Sequence, residues 1–395
     1  MNDCEIYLKP HKEESLLRFH PWVFSGAVAS VKGNPVEGDV VEVFSAERQF
    51  LGIGHYQIGS ITVRILSFEY VRIDAAFWTA RIRRAYDLRR ALGIVPRLET
   101  YRLVNGEGDL LSGLIIDIYA QTAVIQAHSV GMHIARHEIV DALREVLSDD
   151  LRCVYYKSEG TLPYKADLGE ENEYLYGGGC KTPHIANENG IKFLIDWEKG
   201  QKTGFFIDQR DNRALVRQLA ENRTVLNMFS YTGGFSVYAL AGGASLVHSV
   251  DSSSRAIRLT NENVALNFPD DTRHQAFAED AFQFLENIER IYDVIILDPP
   301  AFAKHRNVLR NALQGYRKLN ALAFKKIKPG GLLFTFSCSQ IVSKNDFRLT
   351  VFSAAAQSGR AVSILHQLSQ PPDHPINIYH PEGEYLKGMV LLIEN

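Results

Sequence analysis

The sequence predicts an α/β protein whose C-terminal half is a doubly wound, Rossmann-like sheet of seven strands. Residues 294–297 and 332–336 are short apolar runs bounded by turn or polar residues, as buried parallel strands are. The first run is followed by Asp298, and the second leads to Cys338. Because ligands bind at the carboxyl ends of such strands, we expect this carboxylate and this thiol to meet at one edge of the sheet.

A nucleotide-like cofactor is indicated upstream of these runs. Residues 224–229 have the character of a strand, 230–234 form a tight loop with two glycines, and a helix follows. In a doubly wound sheet this order brings the backbone close to a ligand. The loop lacks the G-x-G-x-x-G pattern of pyrophosphate binding, which disfavours NAD and favours S-adenosylmethionine. Asp251, after the next strand, is expected at the ribose hydroxyls, and Asp280, after the third, at the adenine.

Composition narrows the class of protein. A chain of 395 residues holds two or three domains, and its net charge of -3 gives no overall attraction to nucleic acid, so RNA contacts must come from local patches. No apolar run approaches 18 residues and no signal-peptide pattern is present, so we expect a soluble, cytoplasmic protein without a membrane partner. The four cysteines and thirteen histidines lack metal-ligand spacing, which predicts no metal, no zinc ribbon and no disulfide framework.

Three domains are predicted along the chain. Residues 1–70 alternate short apolar segments with glycine turns and are expected to form a small β-barrel. Residues 71–190 mix strands and helices in a central α/β domain. Residues 191–395 alternate strands and helices and form the catalytic, doubly wound domain. The barrel strands are expected near 39–44, 52–56 and 61–66.

The central domain is predicted to open with a helix over residues 74–92. Asp74 is the expected N-cap and Gly93 the stop, with Phe77, Ile82, Tyr86 and Leu92 facing a core. The helix carries five arginines, at positions 81, 83, 84, 89 and 90. They form either a solvated face with salt bridges or a surface that follows RNA phosphates, and the sequence leaves both open.

Seven segments, in order and spacing, resemble the RlmI-like family of bacterial ribosomal RNA cytosine-C5 methyltransferases. They are residues 20–26 (HPWVFSG), 103–109 (LVNGEGD), 202–210 (KTGFFIDQR), 227–235 (NMFSYTGGF), 298–302 (DPPAF), 336–339 (FSCS) and 385–388 (YLKG). Each is moderately specific alone, and the set spans essentially the whole chain. The resemblance implies an N-terminal PUA domain, a central mixed α/β domain and a C-terminal class I S-adenosylmethionine-dependent domain. It also implies a target cytosine in large-subunit ribosomal RNA.

The resemblance further implies where the cofactor binds. Segment 202–210 would fold over it, residues 227–233 would meet its methionine part, Asp251 and Ser252 its ribose, and Asp280 and Ala281 its adenine. The predicted cofactor-binding residues are Phe206, Asp208, Gln209, Asn227, Phe229, Ser230, Tyr231, Thr232, Gly233, Asp251, Ser252, Asp280, Ala281 and Asp298.

The chemistry of cytosine accounts for the thiol. C5 of cytosine is too weak a nucleophile to accept a methyl group until a thiolate adds to C6, and Cys338 is the predicted nucleophile. A base must then remove the C5 proton. Many RNA cytosine-C5 methyltransferases carry a second cysteine just after the proline of the motif at 298–302; here Pro300 and Ala301 follow instead. Asp298 is the best placed proton acceptor, although it could equally contact the cofactor or the cytosine, or only end a strand.

Other functions fit parts of the pattern. An enzyme of the same fold could methylate a base nitrogen, guanine N7 or an exocyclic amine, although Phe302 lies one residue late for the D-P-P-aromatic motif. An NAD-dependent dehydrogenase and a noncatalytic RNA-binding assembly factor are weaker alternatives. Lys304 and His305 could hold a phosphate or belong to a solvated loop. The expected partner is large-subunit ribosomal RNA, and a homodimer is left open.

Overall fold

The computed structural model describes residues 4–162, 171–302 and 305–394, and the chain forms two compact units. The first consists of Met1–Ala186, Ile195–Ile207 and Pro372–Gly383, and the second of Asn187–Leu194, Asp208–Pro371 and Glu384–Asn395. Each unit thus gathers stretches that are distant in sequence. The domain limits at residues 70 and 190 stay a prediction.

The N-terminal part of the first unit is a six-stranded sheet with an apolar core. Its elements are β1 (Glu5–Leu8), α1 (Glu14–Leu17), β2 (Trp22–Phe24), β3 (Val28–Lys32), β4 (Val40–Phe44), β5 (Phe50–Tyr56) and β6 (Ile61–Ser67). The strand order is β2-β6-β5-β4-β1-β3, with β1 parallel to β4 and the other pairs antiparallel. Ile6, Val41 and Val63 are fully buried between the strands. The three strands predicted from alternation are confirmed.

A second layer of the first unit packs helices on a five-stranded sheet. Its elements are α2 (Ala75–Ala91), β7 (Thr100–Asn105), β8 (Leu114–Tyr119), β9 (Thr122–Ala127), α3 (Val130–Ile134), α4 (Arg136–Leu147), β10 (Cys153–Tyr156) and β11 (Glu173–Tyr176). The strand order is β11-β10-β9-β8-β7. The Asp74 side chain accepts a hydrogen bond from Phe77 N at 3.1 Å, so the predicted N-cap is confirmed. Trp78 and Ile82 of α2 are buried in the core that also contains Ile139 of α4.

Three details differ from the sequence expectations. Leu92, the residue that caps the end of α2, is 44% exposed and therefore lies outside the core. Arg89 is fully buried, since Asp109 and the carbonyl oxygen of Asp373 satisfy its guanidinium. Cys153 and Cys180 form a disulfide with their Cα atoms 6.5 Å apart. Spacing rules miss this pair because the fold brings the two cysteines together across 27 residues.

The second unit contains the predicted seven-stranded sheet. After the hairpin of β12 (His184–Glu188) and β13 (Ile191–Ile195) come α5 (Arg210–Leu219), β14 (Thr224–Met228), α6 (Gly234–Ala241), β15 (Leu246–Asp251), α7 (Ser254–Asn267), β16 (His274–Ala278), α8 (Ala281–Asn287), β17 (Tyr292–Leu297), α9 (Leu309–Lys326), β18 (Ile327–Ser337), α10 (Lys344–Ser358), β19 (Val362–Leu368) and β20 (Lys387–Ile393). The strand order is β16-β15-β14-β17-β18-β20-β19. Strand β20 pairs antiparallel with both neighbours, and the other described pairs are parallel.

The helices that alternate with the strands along the chain pack on this sheet and cover it. Leu226, Ile295 and Leu333, on three adjacent central strands, are fully buried in one core with Tyr316 and Leu319 of α9. Such near-continuous apolar strands are typical of parallel sheets that are covered on both faces. None of the described helices combines the length and apolar character needed to cross a lipid bilayer.

Candidate active site

Asp298 and Cys338 follow β17 and β18, two neighbouring parallel strands of the second unit. Parallel neighbours end at the same edge of a sheet, and the two loops are in contact there. The Cys338 thiol points to the carbonyl oxygen of Pro299, with Sγ and O 3.8 Å apart. The structure therefore places the loop that begins at Asp298 against the loop that carries Cys338.

The loop between β14 and α6 is held in an unusual backbone conformation. Phe229 and Tyr231 have φ angles of 59° and 47°, although neither is glycine, and Gly233 has a φ of 75°. Bulky residues with positive φ persist only where the surroundings impose it, often at ligand sites. Here Asp251 Oδ2 accepts from Tyr231 N at 3.0 Å, and Thr260 Oγ1 donates to the Tyr231 carbonyl oxygen at 3.0 Å.

Two buried oxygens at this loop make no hydrogen bond within the described protein. They are Oδ1 of Asn227 and Oγ of Ser230. The other end of the Asn227 amide donates to Ser236 Oγ at 2.9 Å, which fixes its orientation. Because buried polar atoms are normally paired, these oxygens suit a ligand that brings hydrogen-bond donors.

Four further predicted cofactor residues lie at or just after the ends of β15 and β16. Asp251 is half-buried, and its Oδ1 accepts from Ser253 N at 2.9 Å, while Ser252 beside it is exposed. Asp280 is exposed and caps α8, since its Oδ1 accepts from the backbone N–H groups of residues 282 and 283. Ala281 is buried at the first position of that helix. Both aspartates therefore stiffen the loops that a ligand would meet.

A carboxyl pair lies near the start of α5. Tyr385 OH donates to Asp208 Oδ2 at 2.8 Å, whereas Oδ1 of Asp208 is buried with no hydrogen-bond partner among the described atoms. Withdrawal from water, and next the charge of Asp208, raise the pKa of Asp298 to about 7. A hydrogen bond from Gln209 and the charge of Arg213 act in the opposite direction. Asp298 is thus poised to exchange a proton near neutral pH.

Arg213 is itself fixed by a buried ion pair. Its Nε and Nη2 donate to the two carboxylate oxygens of Glu188 at 2.9 and 2.7 Å, and both side chains are buried. A bidentate pair of this kind holds the guanidinium in one orientation. The ion pair therefore holds in place the positive charge that acts to lower the pKa of Asp298.

Tyr316 and Lys387 lie near Cys338, although neither was predicted as a site residue. Tyr316 OH accepts from Ser337 Oγ at 3.0 Å, and burial raises the pKa of Tyr316 to about 12, with the charges of Cys338 and Asp298 adding to the effect. Lys387 is only 4% exposed, and its Nζ donates to the Ser339 carbonyl oxygen at 2.6 Å. A lysine that opens an otherwise apolar strand was the signal that could have identified it.

Two predictions fall elsewhere. Phe206 lies in the stretch Ile195–Ile207, which belongs to the first unit, and its side chain is half-buried. Lys304 lies outside the described residues, and His305 is exposed. Neither observation bears on the geometry around Cys338.

Within the described chain, one group of three side chains could meet a metal ion: His20, His380 and Glu382. Nδ1 of His20 accepts from Trp22 N at 3.2 Å, which places the proton of the neutral ring on Nε2. That nitrogen faces Glu382 Oε2 at 3.6 Å. At 3.6 Å these two atoms are too far apart for a hydrogen bond, and Glu382 Oε2 lies at a similar 3.7 Å from His380 Nε2. That the protein holds no metal stays a prediction.

The sequence matches two known families. Residues 143–383 match the S-adenosylmethionine-dependent methyltransferase family, and residues 6–68 match the PUA-like domain family. The chain is 41% identical over 392 residues to the ribosomal RNA large subunit methyltransferase I of Aeromonas salmonicida, covering 98% of each protein. It is 40% identical to the enzyme of the same name from Aeromonas hydrophila, covering 98% of this chain and 99% of that one.

The fold also matches a solved methyltransferase. A crystal structure described as a candidate methyltransferase complexed with S-adenosylhomocysteine superposes with a TM-score of 0.85, covering 98% of this chain and 99% of that one. The two sequences are 24% identical, so this likeness concerns the fold. It confirms the predicted class I architecture.

Proposed function

We propose that this chain, which belongs to the family of S-adenosylmethionine-dependent large-subunit ribosomal RNA methyltransferases, methylates C5 of a cytosine through a covalent bond to Cys338. The observation that carries the proposal is the meeting of the Cys338 thiol with the Asp298–Pro299 segment, where the thiol points to the Pro299 carbonyl oxygen. An enzyme that methylates a base nitrogen needs no thiol at this place. A C5 methyltransferase needs both a thiolate and a nearby base.

The cofactor, S-adenosylmethionine, supplies a methyl group on a positively charged sulfur. We assign its methionine part to residues 227–233, where Asn227 and Ser230 offer buried oxygens that accept or donate no hydrogen bond within the described part of the chain. Oδ1 of Asp208, which makes no hydrogen bond to any described residue, is a further acceptor for an ammonium group. Asp251 and Ser252 would bind the ribose, and Asp280 with Ala281 the adenine. The contributions of Phe206, Gln209 and the remaining loop residues, Phe229, Tyr231, Thr232 and Gly233, rest on the family resemblance.

In the proposed reaction, the Cys338 thiolate forms a bond to C6 of the cytosine, and the electron pair of the C5–C6 double bond takes the methyl group at C5. A base then removes the C5 proton. The electrons of that C–H bond restore the double bond, and the Cys338–C6 bond breaks to release the thiolate. The net change is one methyl group gained by the base, one proton released, and the loss of the methyl group and positive charge from the cofactor, which becomes S-adenosylhomocysteine.

Asp298 is the proposed proton acceptor. Residues 300 and 301, where a second cysteine could stand, are Pro300 and Ala301. A carboxylate with a pKa near 7 is a stronger base than an ordinary aspartate and is still largely ionised just above neutral pH. Burial, which raises this pKa, therefore suits Asp298 to the task.

RNA binding is assigned to the N-terminal PUA-like barrel, residues 1–70, and to exposed arginines of α2. The target base must leave its stack to reach a thiol at a sheet edge, so free nucleotides should be very poor substrates. Large-subunit ribosomal RNA is made and assembled in the cytoplasm of bacteria, where we place the enzyme. A homodimer is left open.

The test uses large-subunit RNA transcribed with 5-fluorocytidine. Fluorine at C5 cannot leave as a proton, so methyl transfer should trap the enzyme on the RNA as a denaturation-resistant adduct. We expect the adduct with the wild type and with Cys4→Ala, and none with Cys338→Ala. Full methyl transfer by Cys338→Ala, with the product carried on a base nitrogen, would overturn the proposal in favour of the nitrogen-methylating alternative.

A further inference from the structure

Lys387 is a buried cation at the edge of the sheet that carries Cys338. It is the first residue of β20 and pairs in register with Ser337, the last residue of β18. Only 4% of its surface is exposed. Because β20 is antiparallel to β18, its amino end lies where β18 ends, and Lys387 is brought beside the segment 337–339.

The ammonium group is anchored to the loop that carries the thiol. Lys387 Nζ donates to the carbonyl oxygen of Ser339 at 2.6 Å. This is one of the three hydrogen bonds that an ammonium can donate. The anchor fixes the position of the charge relative to Cys338, the residue immediately before Ser339.

No carboxylate lies within 4.0 Å of Lys387 Nζ among the described ion pairs, which is unusual for a buried lysine. Glu384 acts on Lys387 from a distance and is itself paired with Lys344. Removing an ammonium from water is costly unless an anion compensates. The remaining group that favours the charged state of Lys387 is Cys338.

We propose that Lys387 is the counter-ion of the Cys338 thiolate and so a positioning residue for the nucleophile. The inference rests on the proposed role of Cys338 and adds the means by which the thiol loses its proton to solvent before it meets the base. A nearby cation lowers a thiol's pKa by stabilising the anion.

Other titrating groups face the same thiol. Burial lowers the pKa of Lys387 to about 8, with Lys344 contributing in the same direction, so the ammonium is still mainly charged at neutral pH. The charge of Cys338 also acts on Tyr316, whose pKa is raised by burial to about 12, so its hydroxyl stays neutral. The pKa of Asp298 is about 7, so this carboxyl group also changes its charge close to neutral pH.

The test measures the rate of iodoacetamide alkylation of Cys338 against pH, by mass spectrometry and without RNA. The variant is Lys387→Met, which keeps the side-chain length and removes the charge. We expect the wild-type alkylation rate to reach half its maximum about one pH unit below the ordinary thiol pKa of about 8.5. In the variant this midpoint should rise by about one pH unit. At pH 7 alkylation should therefore slow about tenfold.

Lys344→Met is the matched control. It removes the same charge from a lysine whose side chain is 55% exposed, so solvent screening should leave the Cys338 midpoint within about 0.3 units. Repeating both substitutions in an Asp298→Asn background removes a nearby carboxyl group whose pKa is about 7. Alkylation of Cys4 in the same samples is the internal reference.

Equal midpoints in wild type and Lys387→Met would overturn the inference. If Lys387→Met no longer binds S-adenosylhomocysteine, the test uses only the alkylation rate of wild type against pH. A wild-type alkylation midpoint at or above about pH 8.5 then contradicts the inference. The outcome is separable from the proposed function. If the 5-fluorocytosine adduct forms but the alkylation midpoints of wild type and Lys387→Met are equal, only the role of Lys387 is rejected. If the midpoints differ but no adduct forms, only the covalent mechanism is rejected.

Discussion

Asp208 and Asp298 lie close enough in the second unit for the charge of one to oppose ionisation of the other. Withdrawal of Asp298 from water is the larger cause of its raised pKa, and the charge of Asp208 adds to it. Tyr385 donates a hydrogen bond to one oxygen of Asp208, and the other oxygen has no hydrogen-bond partner among the described residues. A cationic group of the cofactor bound there would offset the charge of Asp208 and ease ionisation of Asp298.

The raised pKa of Asp298 makes a stability prediction. An unfolded chain loses this proton near pH 3.8, whereas the folded chain holds it until about pH 7. The stabilisation is therefore complete below pH 3.8 and is lost as pH rises through 7. Asn cannot ionise, so Asp298→Asn should gain stability relative to wild type by roughly 1–3 kcal/mol between pH 5 and pH 8, allowing for partial solvent screening. Thermal unfolding at the two pH values measures the difference.

Asp293→Asn is the control for this prediction. Burial acts to raise the pKa of Asp293, but hydrogen bonds from Lys328 and Thr224 outweigh it, so the pKa is lowered overall. Asp293 is therefore ionised in both states between pH 5 and 8, and its stability difference from wild type should not change over that range. A gap that stays constant for Asp298→Asn as well would contradict the raised pKa.

Asp251→Ala should weaken binding of S-adenosylhomocysteine by roughly 1.5–3 kcal/mol, the range for a hydrogen bond to a charged group. The carboxylate also holds Tyr231 N, so the strained loop loses one of its anchors. Calorimetry measures the change. Asp271→Asn, before the amino end of β16, is paired with Arg273 and should leave the affinity nearly unchanged. Equal losses for both variants would mean that Asp251 acts only through overall stability.

Gly233→Ala tests the close packing of the same loop. At this position φ is 75°, and an added Cβ would lie 2.7 Å from Thr260 Cγ2. Gly330→Ala is a matched control, because its φ is 76° and nothing lies within 4 Å of an added Cβ. Both changes should cost roughly 1 kcal/mol for the backbone conformation. Only Gly233→Ala should lose a further 1–3 kcal/mol, on the scale of overpacking, and weaken cofactor binding.

Much of the second unit follows from sequence because its signals are local. Alternating apolar runs and helices predict parallel strands, and the carboxyl-end rule then places Asp298 and Cys338 together. The same rule overlooks Lys387, because β20 is antiparallel and presents its amino end at that edge. A rule that considers only the carboxyl ends of parallel strands misses a residue at the amino end of an antiparallel strand.

The first unit shows the complementary limit. Arg89 looks like one of five surface arginines, yet its partners include the carbonyl oxygen of Asp373, 284 residues away. Nothing near Arg89 in the sequence signals that contact. The Cys153–Cys180 disulfide depends in the same way on chain segments that only the folded sheet brings together.

Arg89→Ala should destabilise the protein strongly. The guanidinium donates to both oxygens of Asp109, at 2.5 and 2.9 Å, and both side chains are buried. Removal leaves an uncompensated buried carboxylate, a loss of about 3–5 kcal/mol. Chemical denaturation measures it. The double change Arg89→Met with Asp109→Leu should recover most of that loss, and failure to recover it would mean that the packing, not the unpaired charge, was responsible.

The exposed arginines of the same helix carry the RNA prediction. Arg81 donates to the Leu66 carbonyl oxygen and Arg83 to that of Val146, so their charges are partly engaged, whereas Arg84 and Arg90 are exposed. Reversing both exposed charges, Arg84→Glu with Arg90→Glu, should weaken binding of large-subunit RNA and make it less sensitive to salt, because fewer phosphates are neutralised. Filter binding at several salt concentrations measures both effects, and calorimetry should show unchanged affinity for S-adenosylhomocysteine.

Arg144→Glu on α4, where the arginine already contacts Asp141, is the control for charge reversal alone. If the double variant binds RNA with the affinity and salt dependence of wild type, the arginines of α2 form a solvated face and the RNA surface lies elsewhere.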